Sequence, residues 1–212
     1  LPPRENLACP AQPLRTRQLA FGYTQDDMKV ILAPLARNAE EAIGSMGNDL
    51  PLAVLSDRRP VLYSYFKQLF AQVTNPPIDS IREAVVMSVE ASVGSERNLL
   101  DETPEHARQL VIANPILRDD ELERLRQIDS DVFQAHTIDT TWPVADGPAG
   151  LELAVERICA EADEALAEGV NIIVLSDRGV GPEQAPVPSL LAVAALHHHL
   201  VRAGTRLQAG LI

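Results

Sequence analysis

Aromatic residues are scarce in this chain: Phe, Trp and Tyr make up 4% of it, so a core has to be built from Leu, Val, Ile and Ala. Basic residues are outnumbered too. Against 30 Asp and Glu there are 18 Lys and Arg, a formal net charge of −12, and no basic stripe with interleaved aromatics. A phosphate-backbone partner needs clustered cations, so nucleic-acid binding is excluded. The two cysteines, Cys9 and Cys159, lie far apart without CxxC or Cys/His spacing and read as reduced, incidental thiols. No apolar run reaches transmembrane length, and the N-terminus carries no signal-peptide pattern, so a soluble, cytoplasmic protein is expected. Nucleophile elbow, P-loop and nucleotide-binding GxGxxG are all missing.

What is present is a 212-residue chain that is 46% hydrophobic, enough for one large domain or two small ones. Residues 1–20, broken by Pro2, Pro3, Pro10 and Pro13, read as an extended leader. Thr24 caps a helix with Asp27 at the capping-box position; Met28, Ile31, Leu32 and Leu35 form its inner face, and Pro34 ends or kinks it. Leu52–Leu55 reads as a short strand. In FKQLFAQVTNPPIDSIRE, residues 66–83, the spacing of Phe66, Leu69, Phe70 and Val73 (with Tyr63 before them) predicts an amphipathic helix. Pro76-Pro77 stops it as a rigid corner, and Asp79 caps a new turn.

Beyond the corner, Ala84–Val89 and Leu110–Ala113 read as strands, Thr103-Pro104 as a helix start, and Asp119–Ile128 as a charged helix matched to its dipole. Val132–Thr141 alternates like a strand and is closed by Trp142-Pro143 and a Gly-Pro loop. A helix over Leu151–Glu168 stops at Gly169, and Val170–Leu175 (VNIIVL) is unbroken apolar, as a parallel strand covered on both faces requires. After a loop over Ser176–Pro188, Ser189 caps a helix over Leu190–Ala203, Gly204 stops it, and Thr205–Ile212 is a last strand. This predicts an interior parallel β-α-β unit, and the alternation of elements an α/β protein with a mostly parallel sheet.

Chemistry-bearing patterns are few. The small-residue loop from Gly44 to Asp49 precedes a strand, the reverse of a phosphate cradle. Asp177-Arg178 sit beyond a strand's carboxyl end, where α/β sheets gather ligands, though the pair also suits a turn cap and an ion pair. His197, His198 and His199 are adjacent on a helix and point about 100° apart, so they cannot converge on one metal ion. Leu55-Ser56-Asp57-Arg58 is echoed by Leu175-Ser176-Asp177-Arg178.

Several segments together carry a family resemblance: AFGYTQDDM (20–28), GSMGNDLPLAVLS (44–56), FAQVTNPPID (70–79), NLLDETPEHARQL (98–110), NPILRDDEL (114–122), NIIVLSDRG (171–179) and APVPSLLAVAALHHHLVRAGTRLQAGLI (185–212). They resemble the central domain of the glutamate synthase large subunit. Departures are small: Asn48 and Leu50 stand where Asp and Thr are usual, and Arg118-Asp119 where Thr-Asn is common. The resemblance implies one domain over residues 21–212, an α/β fold like a reduced TIM-type barrel, excised from a longer chain. It further implies a non-catalytic connector between a glutamine amidotransferase domain and an FMN-binding synthase domain, helping to wall an ammonia tunnel. The parent makes glutamate from glutamine and 2-oxoglutarate, and its FMN and iron–sulphur cluster belong to other domains. Met46, Thr74, Asn75, Asp177 and Arg178 are the tunnel or interdomain candidates. The rival reading is a free-standing protein binding a small anion at Asp177-Arg178; a hydrolase using one of the three histidines lacks a nucleophile partner. A connector leaves apolar surface exposed, whereas the anion binder has one closed pocket and a polar surface.

Overall fold

The computed structural model of the protein describes residues 14–39, 52–57, 59–66, 79–114 and 116–212. They belong to two compact units, one of residues 10–76 and one taking in residues 77–212.

In the first unit, helix α1 covers Leu14–Ala20, where extended chain was expected. The prolines stop at Pro13, and LRTRQLA is made mostly of good helix formers. The capping box forms as expected: the Thr24 N–H donates to Asp27 Oδ2 at 2.8 Å, and the Asp27 N–H donates to the Thr24 hydroxyl at 3.1 Å. Hydrogen bonds from Thr24, backbone first and hydroxyl second, hold the Asp27 carboxyl below its usual range. The helix then widens to a π turn over Asp27–Leu32, closed by Ala33 N–H to the Met28 carbonyl, before α2 (Ala33–Asn38) takes over. Pro34 thus changes the helix type without ending the run. A proline crowds the carbonyl four residues back, and a wider turn ahead of it makes room. Met28 and Leu32 are half-buried, whereas Ile31 and Leu35 are exposed. Ala53–Leu55 is a 3-10 turn, not a strand. Among the described residues no strand pairs with it, so its backbone closes on itself, Leu55 N–H to the Leu52 carbonyl at 2.9 Å. Leu62–Phe66 is likewise 3-10; the rest of the expected helix and the Pro-Pro corner lie outside the described residues.

In the second unit, Asp79 caps a turn as expected, accepting from the Ile81 and Arg82 N–H groups at 3.0 and 2.8 Å. That cap nucleates α3 (Glu83–Val86), so Ala84–Val89 is helix and turn, not a buried strand. Strands β1 (Ala91–Val93) and β2 (Leu110–Ile112) form an antiparallel pair. Pro104–Ala107 is a 3-10 turn. Helix α4 (Asp119–Arg126) places Asp119, Asp120 and Glu121 in its first turn and Arg124 and Arg126 in its last.

The expected strand over Val132–Thr141 divides at Thr140 into β3 (Ala135–Asp139) and β4 (Thr141–Pro143). Gly147-Pro148 do not form a loop: they open α5 (Gly147–Ala167), where proline's missing N–H costs nothing. Next come β5 (Ile172–Ser176), β6 (Gln184–Pro186) within the expected loop, α6 (Ser189–Ala203) and β7 (Gly210–Leu211). Strands β3, β5 and β7 form a parallel sheet with β5 central, and β4 pairs antiparallel with β6. The β5–α6–β7 unit is parallel as expected, but the last strand is short and stands at the edge of this sheet. Gly204, at φ +74°, ends α6, and a 3-10 turn over Arg206–Gln208 takes up the residues that were to be strand.

Register assigns the sheet's two faces. His136 pairs with Ile173 and Ile138 with Leu175 on one; Thr137 pairs with Val174 and Asp139 with Ser176 on the other. Helices α5 and α6 cover the first face, joining Ile158, Ala162, Ala192, Leu196 and Leu200 to Ile138 and Ile173 in one core. On the second, Arg126 Nε of α4 donates to Thr137 Oγ1 at 3.2 Å, next to buried Leu125 and Ile128. Ile172, Ile173 and Val174 are therefore all buried, as an unbroken apolar run demands. The β1–β2 hairpin crosses β7 at Gly210, where an added Cβ would stand 2.8 Å from the Gly94 amide nitrogen.

Candidate functional site

Strands β3 and β5 end side by side, Asp139 opposite Ser176. Here the chain leaves the parallel sheet, and buried Thr140 is pinned on both sides: its N–H donates to the Ser176 carbonyl at 2.9 Å, and its carbonyl accepts from Val187 at 2.8 Å. Asp139 folds back, Oδ1 accepting from both the N–H and the hydroxyl of Thr141 at 2.7 Å. From α5, Arg157 Nη2 donates to the Asp139 carbonyl at 2.8 Å and the Thr141 carbonyl at 2.9 Å. Its Nη1 reaches Glu161 at 3.4 Å, and Glu161 in turn lies 3.0 Å from His136 Nε2. Gly179 closes over Asp139 so tightly that a Cβ there would stand 2.8 Å from Oδ2. Arg157 and Asp139 bond the backbone on either side of Thr140, so the arrangement braces a sheet corner. Sequence reasoning missed Asp139, Thr141, Arg157 and Glu161. Only the run Asp139-Thr140-Thr141 at a strand end could have marked them.

The expected candidates separate. Arg178 Nη2 pairs with Asp119 Oδ1 of α4 at 2.7 Å, and Asp177 closes the turn through its carbonyl, which accepts from Val180 at 3.1 Å. The guanidinium on which the anion-binding reading relied is thus occupied by a carboxylate, and that reading has no support here. Met46, Thr74 and Asn75 lie outside the described residues, and the Leu55–Arg58 echo follows a 3-10 turn, not a strand, with Arg58 undescribed. The three histidines diverge as helix geometry requires. His199 meets Asp163 of α5 at 2.7 Å, His197 accepts from Arg206 Nε at 3.0 Å, and His198 is exposed. Among the described residues no group of three or more His, Cys, Asp or Glu side chains could hold a metal ion.

An open cleft of about 560 Å³ lies along the seam of α5 and α6, lined by Val155, Cys159, Leu191, Ala194, Ala195 and Arg202 among others. Burial raises the Cys159 thiol above its ordinary value, the Asp163 charge adds to the shift, and Arg202 opposes it. Among the described residues no helix is long and apolar enough to cross a membrane.

Fold and corner together define an α/β domain, a parallel sheet between helices whose strand ends are tied down by their own neighbours. A family model described as the glutamate synthase central domain matches residues 16–212. The chain belongs to that family. It is 46% identical over 196 residues to a glutamate synthase (NADH) of Schizosaccharomyces pombe (strain 972 / ATCC 24843), covering 92% of this chain and 9% of that protein. It is 45% identical over 193 residues to a glutamate synthase (NADPH) large chain of Azospirillum brasilense, covering 91% of this chain and 13% of that one. A ferredoxin-dependent glutamate synthase of Pyropia yezoensis is 39% identical over 197 residues, 92% of this chain and 13% of its own. The chain therefore spans about a tenth of the length of these relatives.

Proposed function

We propose that residues 21–212 act as the non-catalytic central connector of a glutamate synthase polypeptide. It joins a glutamine amidotransferase domain to an FMN-binding synthase domain in the cytoplasm and helps wall the path along which ammonia passes between them. The parent is an oxidoreductase that makes glutamate from glutamine and 2-oxoglutarate, and the connector's sheet is a reduced counterpart of its barrel. One observation carries the reading. Apolar side chains of residues 81–116 stand in water, among them Ile81 at 87% exposure, Val85 at 80% and Leu100 at 91%. A free-standing protein seldom leaves so many uncovered, whereas a connector presents them to neighbours. The cofactors do not fit this chain. Two cysteines cannot supply the thiolate set of an iron–sulphur cluster, and the small-residue loop runs in the wrong order for the FMN phosphate.

A tunnel wall must be stiff, neutral and largely apolar, because an acidic group traps ammonia as ammonium. Met46, Thr74 and Asn75 are the neutral side chains that the sequence sets on short turns, and Asp177 and Arg178 are interdomain candidates. In the full-length enzyme, Thr74→Leu should lower glutamine-dependent synthesis about tenfold, roughly 1.4 kcal/mol on the transfer step. Glutaminase activity and reduction of an artificial acceptor should stay unchanged. A parallel fall in synthesis and glutaminase, or no change in either, removes Thr74 from the tunnel.

A further inference from the structure

The cleft along the seam of α5 and α6 carries two charges that the described structure leaves unused. Glu156 of α5 and Arg202 of α6 both line it, and both are exposed. Among the described residues neither has an ion pair or a side-chain hydrogen bond. The charges beside them are taken: Arg157 pairs with Glu161, and Asp163 with His199. Most of the remaining lining is apolar, Val155, Leu191, Ala194 and Ala195 with the Cys159 thiol, which burial keeps protonated. Strands β3, β5 and β7 are parallel, so α5 and α6 run in the same direction on their return across the sheet. The His199–Asp163 pair sets their level. Glu156 lies seven residues before Asp163 and Arg202 three beyond His199, which separates their backbone positions by roughly 15 Å. Arg202 reaches back toward Cys159, whose thiol feels its charge, so the gap from guanidinium to carboxylate is shorter than that.

We infer that this cleft binds a small linear zwitterion, an ω-amino carboxylate, with its ammonium on Glu156 and its carboxylate on Arg202. A run of methylenes joins the two ends of such a ligand and lies against the apolar lining. The methylenes supply most of the affinity, about fourfold for each one buried, whereas each exposed ion pair adds about two- to fivefold. The charges set the ligand's direction and select against others. A net charge of −12 opposes a plain anion, and Glu156 opposes it locally; a ligand of zero net charge meets neither penalty. Glutamine carries ammonium and carboxylate on one carbon and cannot reach both ends, and 2-oxoglutarate has no ammonium. Neither fits.

The test uses 8-aminooctanoate on the native full-length protein, with octanoate for comparison. Exposed His198 lines the cleft one turn before Arg202, so its acylation by diethyl pyrocarbonate, located by mass spectrometry, reports occupancy at the site itself. 8-Aminooctanoate should slow that reaction saturably. Arg202→Met should raise the half-protecting concentration of both ligands about two- to fivefold, with Arg202→Lys keeping most of the affinity. Glu156→Gln should raise that of 8-aminooctanoate by about the same factor and should not raise that of octanoate, which the carboxylate no longer repels. No saturable protection of His198 overturns the inference. So does protection that neither variant alters, or a Glu156→Gln effect that is the same for both ligands.

Discussion

Gly210→Ala tests the packing of the hairpin on the sheet, and its outcome can be worked out from distances. A Cβ at 210 would stand 2.7 Å from Val93 Cγ1, 2.8 Å from the Gly94 amide nitrogen and 3.5 Å from Val93 Cα. The valine methyl can rotate away; the Gly94 nitrogen is main chain and cannot. Gly210 does not occupy the left-handed region, so alanine suits its backbone and the cost is steric. Relief requires β1 to back off β7, which loosens the bonds onto the Leu207 carbonyl from Glu96 N–H at 2.9 Å, Arg97 N–H at 3.2 Å and the Ser95 hydroxyl at 3.1 Å. Overpacking plus partial loss of these hydrogen bonds amounts to about 2–4 kcal/mol. For a chain of this size that lowers Tm by roughly 4–16 °C. Gly204→Ala is the control: φ is +74° with nothing within 4 Å, so it carries backbone strain without a clash. Strain of that kind costs about 1 kcal/mol. Circular dichroism gives the two melts, and hydrogen exchange follows the amides of Glu96 and Arg97. Should Gly210→Ala melt no lower than Gly204→Ala with those amides still protected, the hairpin does not rest on Gly210.

Three further outcomes are expected. Arg157→Met removes both carbonyl hydrogen bonds at the β3–β4 corner and should cost about 1–3 kcal/mol in urea unfolding, with Arg157→Lys restoring only part because one ammonium cannot reproduce the fork; an unchanged midpoint contradicts the brace. The Cys159 thiol should resist alkylation at neutral pH until the protein unfolds. Since its folded pKa is raised above the unfolded value, its contribution to stability is full below the ordinary thiol range and is lost as pH rises through that range to the folded value; stability rising with pH there would reverse the sign. Calorimetric titration of the chain with FMN, glutamine or 2-oxoglutarate should show no binding, and micromolar affinity for FMN would contradict the proposed connector role.

Local signals were legible where one residue decides the outcome. Thr24 with Asp27, Asp79 and Gly204 each act within a turn and formed as read, and the run read as a strand over Val170–Leu175 is a strand over Ile172–Ser176. The errors fall where a segment's fate depends on a partner distant in sequence. Ala84–Val89 has the side chains of a buried strand, but the turn capped by Asp79 leads into a helix there, and its valines are exposed. Leu52–Leu55 fails for want of a neighbour among the described residues. Gly147-Pro148 misled in the opposite sense: glycine and proline punctuate loops, yet proline is equally suited to the first turn of a helix, and only Trp142 and Asp146 packed against Gly150 reveal which applies.

The corner at the strand ends was hidden for a related reason. Sequence reasoning looks for charged side chains on loops, so it found Asp177-Arg178, which the structure uses for a turn and a surface ion pair. Arg157, which fixes the corner from α5, acts on main-chain carbonyls instead. Arg157 lies 16 residues beyond Thr141 on a helix, and nothing in the spacing tells which carbonyls its guanidinium will meet until α5 lies against β3. Here Asp139 Oδ1 bonds Thr141, and Arg157 bonds two carbonyls and Glu161. The corner is held still by bonds between β3, β4 and α5.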